Sequence, residues 1–141
     1  MKILIVYIFM LNSMMAISAE DAAWYLGAET SLAKAYQKAK KEKKNLILLV
    51  VVKDGCKWCE LMVNKTLRDP NIQENLSDLV TVVVDVNDKL PQDFRAERTP
   101  AIFFIDAKRK KSVLENVGYV KKGGFLIDIV SAKEMMDKEE S

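Results

Sequence analysis

The sequence predicts an α/β domain in which a mixed four-stranded sheet is flanked by helices. Two buried strand patterns, Asn45–Val52 and Leu79–Val86, are separated by helical patterns, which is typical of a parallel β–α–β unit. Two further strand patterns, Ala101–Asp106 and Ser112–Tyr119, are joined by a short charged turn and predict an antiparallel hairpin. With 141 residues, 50% of them hydrophobic and 30% charged, the chain can form one domain with its own core.

Helical patterns cover four segments around these strands. They are Ala22–Lys44, with its firm part at Ser31–Lys43 and a cap at Thr30 or Ser31; Cys56–Leu67; Pro70–Leu76, capped by Asp69; and Phe125–Asp137. We expect one apolar face of the last helix to pack on the sheet and the acidic tail after it to fray. We expect Trp24 and Tyr25 to pack against the sheet as well, the alternative being that they form a partner surface.

The N-terminus has the pattern of an export signal. A positive start is followed by the apolar run Ile3–Leu11 and by small residues that end at Ala19. We predict that residues 1–19 are a signal peptide cleaved after Ser18 or Ala19, and that residues 20–141 form the domain. The alternative is an uncleaved membrane anchor, although the run is short for a span. Either way the domain is predicted to be periplasmic or secreted, where an isolated cysteine pair forms a disulfide.

Charge and composition exclude several classes of function. The formal charge is +2, from 22 basic and 20 acidic residues, which gives no support for a nucleic-acid partner. The chain contains no histidine, so Ser–His and Cys–His catalysis and most zinc and copper sites are excluded, and no metal is expected. The lysines at positions 38–44 and the basic cluster Lys108–Lys111 are interpreted as a solvated helix end and a solvated hairpin tip, rather than as an anion-binding surface.

The only two cysteines, Cys56 and Cys59, stand at the start of the helix that follows the first buried strand. Their i, i+3 spacing places both sulfurs near one helix N-terminus and within reach of a disulfide. Because free N–H groups and the helix dipole favour a thiolate there, Cys56 is predicted to attack and Cys59 to resolve the mixed disulfide. A purely structural disulfide is the alternative, but a bridge that closes so short a loop constrains the unfolded chain little.

Two residues between the cysteines are candidates for supporting roles. The ammonium of Lys57 should favour the Cys56 thiolate if it turns toward the sulfur. Trp58 is expected to be exposed and to offer an aromatic platform to an apolar substrate segment, with a core position as the alternative.

The order of elements, with Cys56-Lys57-Trp58-Cys59 after the first strand and Thr99-Pro100 before the third, resembles the thioredoxin fold. Within that fold the sequence is most similar to secreted thioredoxin-like proteins, and to the periplasmic thioredoxin-like domain of the membrane transporter that carries reducing equivalents outward. The resemblance covers about Trp24–Lys133. Besides the cysteine motif, it is carried by Glu60-Leu61-Met62, Lys65-Thr66-Leu67, Asp69-Pro70-Asn71-Ile72, Val84-Asp85-Val86 and Thr99-Pro100-Ala101-Ile102-Phe103-Phe104.

The resemblance implies how the site is built. Pro100 should follow a cis peptide bond, and Thr99 should lie against the cysteines with its backbone pairing with the bound substrate chain. Protein thiols and disulfides are the implied substrates, and a membrane thiol–disulfide protein is the implied electron donor. No cofactor is expected beyond the redox-active Cys56–Cys59 disulfide, and we expect a monomer.

Two positions depart from the thioredoxin pattern. Gly55 and Lys57-Trp58 stand where thioredoxins carry Trp and Gly-Pro. Val50 stands at the position where thioredoxins share a buried Asp, which helps to move a proton at the second cysteine. The resolving step should therefore be slower than in thioredoxins, or use Glu60 or water.

The leading hypothesis is a periplasmic thiol–disulfide oxidoreductase that acts as a disulfide reductase of exported proteins. An oxidase or isomerase with little reductase turnover is one alternative. A thioredoxin-like binding module that grips a partner without turnover is another, and Val50 is its best support. A copper chaperone is a weaker idea, because such thioredoxin-like proteins usually also need a histidine.

Overall fold

The computed structural model of the protein describes residues 17–141, so most of the predicted signal peptide lies outside the described residues. Helices and strands follow one another as α1 (Ala19–Leu26), α2 (Leu32–Glu42), β1 (Leu46–Val52), α3 (Lys57–Leu61), a π-helical segment (Met62–Leu67), α4 (Pro70–Asn75), β2 (Val80–Asp85), a 3-10 turn (Gln92–Phe94), β3 (Ala101–Asp106), β4 (Lys111–Val117) and α5 (Lys122–Glu140). The strands, the closing helix and the Asp69-capped helix lie within a few residues of their predicted bounds.

The four strands form one mixed sheet in the order β2-β1-β3-β4. Strand β1 pairs with β2 in parallel and with β3 antiparallel, and β3 pairs with β4 antiparallel, as predicted. All seven residues of β1 are buried, because β1 is an inner strand and helices cover both of its faces.

Alternate side chains of β1 enter two apolar layers. Leu48, Val50 and Val52 pack in the layer that also contains Cys59 and residues of α1, the π-helical segment and α5. The intervening residues pack in a second layer with α2 and the 3-10 turn. Cys59 therefore lies on the sheet face that α1 and α5 cover.

The predicted helix Ala22–Lys44 is two helices, α1 and α2. Gly27, in the left-handed region at φ 60°, ends α1, and the Ser31 side chain accepts a hydrogen bond from the Lys34 N–H to begin α2. Between them Glu29 pairs in parallel with the outer edge of β2: its N–H donates to Thr81 O and its carbonyl accepts from Val83 N–H, each at 2.9 Å. This short bridge holds the α1–α2 connection on the sheet.

The prediction that Trp24 and Tyr25 pack against the sheet was wrong. Trp24 is 79% exposed and Tyr25 49% exposed, because α1 turns Ala22 and Ala23 toward the sheet and the next two residues toward solvent. The two rings meet edge to face at 5.2 Å, and the Arg68 guanidinium lies 4.8 Å from the centre of the Tyr25 ring.

The expected fraying of the acidic tail was also wrong, since α5 continues to Glu140. Glu139 in this last part forms an ion pair with Arg109 of the β3–β4 turn, and this contact gives the final turns a tertiary partner. The expected apolar face is confirmed, with Phe125, Ile129 and Met136 buried against the sheet.

Asp69 joins two helix starts. Its Oδ1 accepts hydrogen bonds from the N–H groups of Asn71 and Ile72 at the start of α4, and lies 3.2 Å from Nζ of Lys122 at the start of α5. Desolvation alone would raise the pKa of the Asp69 carboxyl, but Lys122 and the two backbone donors lower this pKa below its usual value.

We predict that Asp69→Ala lowers the melting temperature at neutral pH. Because the native pKa is lowered, the carboxylate contributes stability above the unfolded-state pKa, and this contribution is lost as pH falls through the native pKa. The difference in Tm between wild type and variant should therefore shrink in acid, which thermal unfolding from pH 7 to pH 3 measures. The exposed Asp137→Ala serves as a matched control, and an Asp69→Ala difference that stays constant over this range would contradict the assignment.

Candidate functional site

The cysteine pair lies where the buried strand β1 leaves the sheet. After Val52 the chain turns through Lys53–Gly55, with Gly55 in the left-handed region at φ 73°, which glycine adopts at little cost. Cys56 is the N-cap of α3 and Cys59 lies in its first turn, and the two are bonded as a disulfide with 5.2 Å between their Cα atoms. The predicted disulfide is therefore present.

The two sulfurs have different surroundings. Cys59 is fully buried, whereas Cys56 is half-buried. Cys56 Sγ accepts a hydrogen bond from the Cys59 N–H at 3.1 Å and lies 3.4 Å from the Thr99 hydroxyl, which can donate to it. In the reduced state these two donors and the start of the helix would stabilise a thiolate on Cys56 rather than on Cys59.

The Thr99–Pro100 segment lies against the pair, as the resemblance implied. The bond between these residues is cis, and the Thr99 carbonyl oxygen is 3.6 Å from Cys56 Sγ, close enough to accept from a thiol in the reduced state. Pro100 is buried, and its own carbonyl accepts a hydrogen bond from the Gly118 N–H at 2.8 Å, which ties this segment to the end of β4.

The residues between the cysteines point to solvent. Trp58 is 57% exposed, as predicted, and stacks on Tyr119 with ring centroids 6.1 Å apart and planes inclined by 24°. Lys57 is exposed, and the polar contacts described for Cys56 Sγ come from Cys59 and Thr99 rather than from Lys57. The Trp58–Tyr119 pair makes an aromatic surface beside the disulfide.

The sequence did not predict a role for Tyr119, or for Thr66, which binds the neighbouring residue Val120. The fully buried hydroxyl of Thr66, in the π-helical segment, donates to the Val120 carbonyl at 2.7 Å. This bond connects the helix that carries the cysteines to the β4–α5 connection that carries Tyr119. The motif Lys65-Thr66-Leu67 contributed to the resemblance to thioredoxins, but helical periodicity in a sequence does not distinguish a π-helical turn from an α-helical one.

The layer under the disulfide is apolar. Val50 is fully buried and its partners on the neighbouring strands are Val83 and Ile102. Among residues 17–141 the only buried polar or charged residues are Thr66 and Asp106, and Asp106 pairs with Leu46 at the other end of β1. Within the described part of the chain, no buried carboxylate lies beside Cys59, where the resemblance to thioredoxins would place a buried Asp.

Residues 17–141 contain no cluster of three or more His, Cys, Asp or Glu side chains arranged to hold a metal ion. No helix within the same range combines the length and the apolar character required to cross a bilayer.

Comparison with known proteins agrees with this geometry. The family model described as thioredoxin-like domain matches residues 32–127. No curated protein matches the sequence at a significant level.

Several solved structures share the fold. A thioredoxin from Thermus thermophilus has a TM-score of 0.64 at 20% identity, covering 73% of this chain and 84% of that chain. The oxidised C-terminal domain of Neisseria meningitidis DsbD has a TM-score of 0.56 at 17% identity, covering 71% and 94%. The periplasmic thioredoxin SoxS from Paracoccus pantotrophus has a TM-score of 0.53 at 16% identity, covering 64% and 98%. The predicted thioredoxin fold is therefore confirmed.

We predict that Thr66→Val disturbs the aromatic surface without touching the cysteines. The Val120 carbonyl would lose its buried donor, which should lower the free energy of unfolding by about 1–3 kcal/mol and loosen the Tyr119 contact with Trp58. In a Trp24→Phe background Trp58 is the only tryptophan, so its emission maximum and anisotropy report the change. Thr66→Ser keeps the hydroxyl and is the matched control; identical Trp58 emission in the Val and Ser variants would refute the connection.

Proposed function

Because the chain belongs to the thioredoxin-like family and carries a disulfide-bonded CxxC pair, we propose that it is a thiol–disulfide oxidoreductase. More specifically, we propose that it is a periplasmic reductase of disulfides in exported proteins. The observation that carries the proposal is the unequal setting of the two sulfurs. Cys56 is half-buried and its Sγ faces two hydrogen-bond donors, while Cys59 is fully buried one turn deeper.

The proposed reaction begins with both cysteines reduced. The Cys56 thiolate attacks one sulfur of the substrate disulfide, a mixed disulfide forms, and the other substrate sulfur leaves as a thiolate that takes a proton from water. Cys59 then loses its proton and attacks Cys56 Sγ, which releases the second substrate sulfur. Two electrons have passed to the substrate, and the protein is left with the Cys56–Cys59 disulfide seen in the structure.

The second step needs a proton acceptor for Cys59. With Val50 in the layer below, we propose that the proton leaves toward Glu60, which follows Cys59 and is half-buried, or toward water at the half-buried Cys56. The catalytic residues of the proposal are therefore Cys56 and Cys59, and Glu60 is a candidate base.

The substrate chain is proposed to lie across the disulfide. The Thr99 backbone, adjacent to Cys56 Sγ, would pair with an extended substrate segment, and buried Pro100 contributes no N–H that could compete. The exposed Trp58 offers an apolar contact surface, and the exposed Lys57 offers a cation at the rim.

We further propose that residues 1–19 are an export signal and that a membrane thiol–disulfide protein re-reduces the pair. One structural neighbour supports this location, since SoxS is described as a periplasmic thioredoxin. Cleavage after Ser18 or Ala19 would remove the buried Ile17 and the Ser18 cap of α1. N-terminal sequencing of the exported chain tests the boundary.

A binding module is the second candidate, and the apolar layer at Val50 favours it, because turnover without a buried acid would be slower. A module would hold its partner noncovalently through the same surface. The two candidates differ in whether a covalent intermediate forms.

We predict that Cys59→Ser traps substrates as mixed disulfides on Cys56, since the resolving thiol is gone. Non-reducing electrophoresis after acid quenching should show several adducts that dithiothreitol releases and that Cys56→Ser lacks. One noncovalent partner that also binds the Cys56→Ser/Cys59→Ser double variant would instead favour the module.

We predict a reduction potential below about −200 mV, as reductases of this fold need a pair that is hard to reduce. Equilibration with glutathione buffers, followed by thiol alkylation, measures it. A potential near that of strong oxidants, about −120 mV, would contradict the reductase direction and favour the oxidase alternative.

A further inference from the structure

We propose that a lysine-lined cleft at the end of the sheet opposite the cysteines binds a phosphate-bearing anion with an apolar body. The cleft has a volume of about 730 Å³, within the usual range for small-ligand sites. Its rim carries five lysines from two separate segments: Lys40, Lys43 and Lys44 from the end of α2, and Lys108 and Lys110 from the β3–β4 turn. The fold therefore brings together two basic segments that the sequence predicted to be a solvated helix end and a separate solvated hairpin tip.

The charge of the cleft is largely uncompensated within the described residues. Its lining residues include no Asp or Glu. Of the five lysines only Lys44 has a described carboxylate partner, Glu42 at 3.3 Å, and Lys110 Nζ lies 4.8 Å from the centre of the Tyr36 ring instead. Like charges held together repel one another, and a bound anion would offset this repulsion.

The helix dipole explains only part of the arrangement. Lysines in the last turn of α2 and just after it are favoured by the partial negative charge of the helix end. Lys108 and Lys110 belong to the hairpin turn and lie outside any helix, and the contact of this turn with the end of α5 is made by Arg109 between them. Lys43 and Lys110 also both adopt left-handed backbone, at φ 57°, a conformation that glycine or asparagine adopts at lower cost.

The floor of the cleft is apolar. The Tyr36 ring and the methyl groups of Ala39 and Ala107 form it, together with the aliphatic stems of the lysines. Burial raises the pKa of Tyr36 further above its usual value, which is already well above physiological pH, so the phenol adds no negative charge to the cleft. An apolar group against Ala39 and Ala107, with a phosphate beside Lys110 at the rim, satisfies both parts of the lining.

The site is separate from the redox pair. The cleft adjoins the start of β1 and the Cys56–Cys59 pair follows its end, and seven residues of extended strand span about 23 Å. The proposal does not depend on the proposed function, and ligand binding should leave thiol–disulfide exchange unchanged.

Two sources could supply such a ligand, a soluble organic phosphate or the headgroup of an anionic phospholipid. Phenyl phosphate is the soluble probe, titrated by calorimetry in 150 mM salt to screen non-specific attraction. Vesicles of phosphatidylglycerol, with phosphatidylcholine vesicles as control, are the lipid probe in a co-sedimentation assay. The protein used is the whole folded chain as isolated from the expressing cells.

The test compares two variants of equal charge. Lys43→Gln/Lys110→Gln removes two cleft lysines, and Lys34→Gln/Lys65→Gln removes two exposed lysines outside the cleft lining. We expect the cleft variant to weaken binding of phenyl phosphate at least tenfold and the control variant less than twofold, with equal Tm and equal exchange rates.

The outcomes separate the sources and can reject the site. Cleft-dependent binding of phenyl phosphate identifies a soluble phosphate ligand, and cleft-dependent binding of phosphatidylglycerol vesicles alone identifies a lipid headgroup. If neither probe binds the wild type, or if both variants lose binding equally, the cleft is no anion site.

Discussion

Strand β1 connects the hydrophobic core to the chemistry of the site, because it is buried along its whole length and ends directly before the cysteine turn. Burial of a side chain such as Val, Leu or Ile contributes about 1.5–3 kcal/mol, so seven such residues outweigh any single polar contact of the site. The position of Cys56 is set by this strand from one side, and by Thr99 before β3 from the other. Since β1 and β3 pair directly, the sulfur and the Thr99 carbonyl are held by neighbouring strands of one sheet.

The difference between the two sulfurs follows from the same packing. Cys59 lies on the face of α3 that turns into the apolar layer, while Cys56 is at the end of the helix where backbone donors are free. In the reduced protein, burial would disfavour a thiolate on Cys59, and the donors at Cys56 would favour one there. Under the proposed function, this difference between the two sulfurs lets Cys56 attack first. Removal of the Cys59 proton is then the difficult step, because the described residues of the apolar layer offer no proton acceptor.

The parts of the fold that follow from periodic burial could be predicted from the sequence. The run that became β1 is apolar throughout and those that became β2 and β3 are largely apolar, and the apolar face of α5 repeats with a helical period, so strand pairing and the covering helix were predicted. The cysteine spacing predicted the disulfide, and the resemblance to thioredoxins implied that Thr99 lies against it. The contacts that were missed depend on the angle at which a helix meets the sheet: the exposure of Trp24, and the stacking of Tyr119 on Trp58.

The remaining misses share another cause, which is that a local sequence does not record its tertiary partner. Glu29 joins the edge of β2 and Glu139 meets Arg109, so one segment is extended where helix was expected and the other is helical where fraying was expected. In both cases the deciding contact comes from a residue more than 25 positions away in the chain. Sequence periodicity measures the preference of a segment alone, and it fails where a distant partner contributes more than that preference.

The near-neutral formal charge of +2 conceals two ends of opposite character. Carboxylates of Glu20, Asp54, Asp85 and Asp88 line a surface depression near the start of α1 and the ends of β1 and β2, and lysines line the cleft at the other end of β1. The length of β1, about 23 Å, exceeds the screening length of about 8 Å at physiological ionic strength more than twofold. Charge bound at the lysine cleft would therefore have little electrostatic effect on Cys56. Under the proposed function, a Cys56 thiolate would therefore be stabilised by its immediate donors, the Cys59 N–H, the Thr99 hydroxyl and the start of α3, and not by the lysines of the cleft.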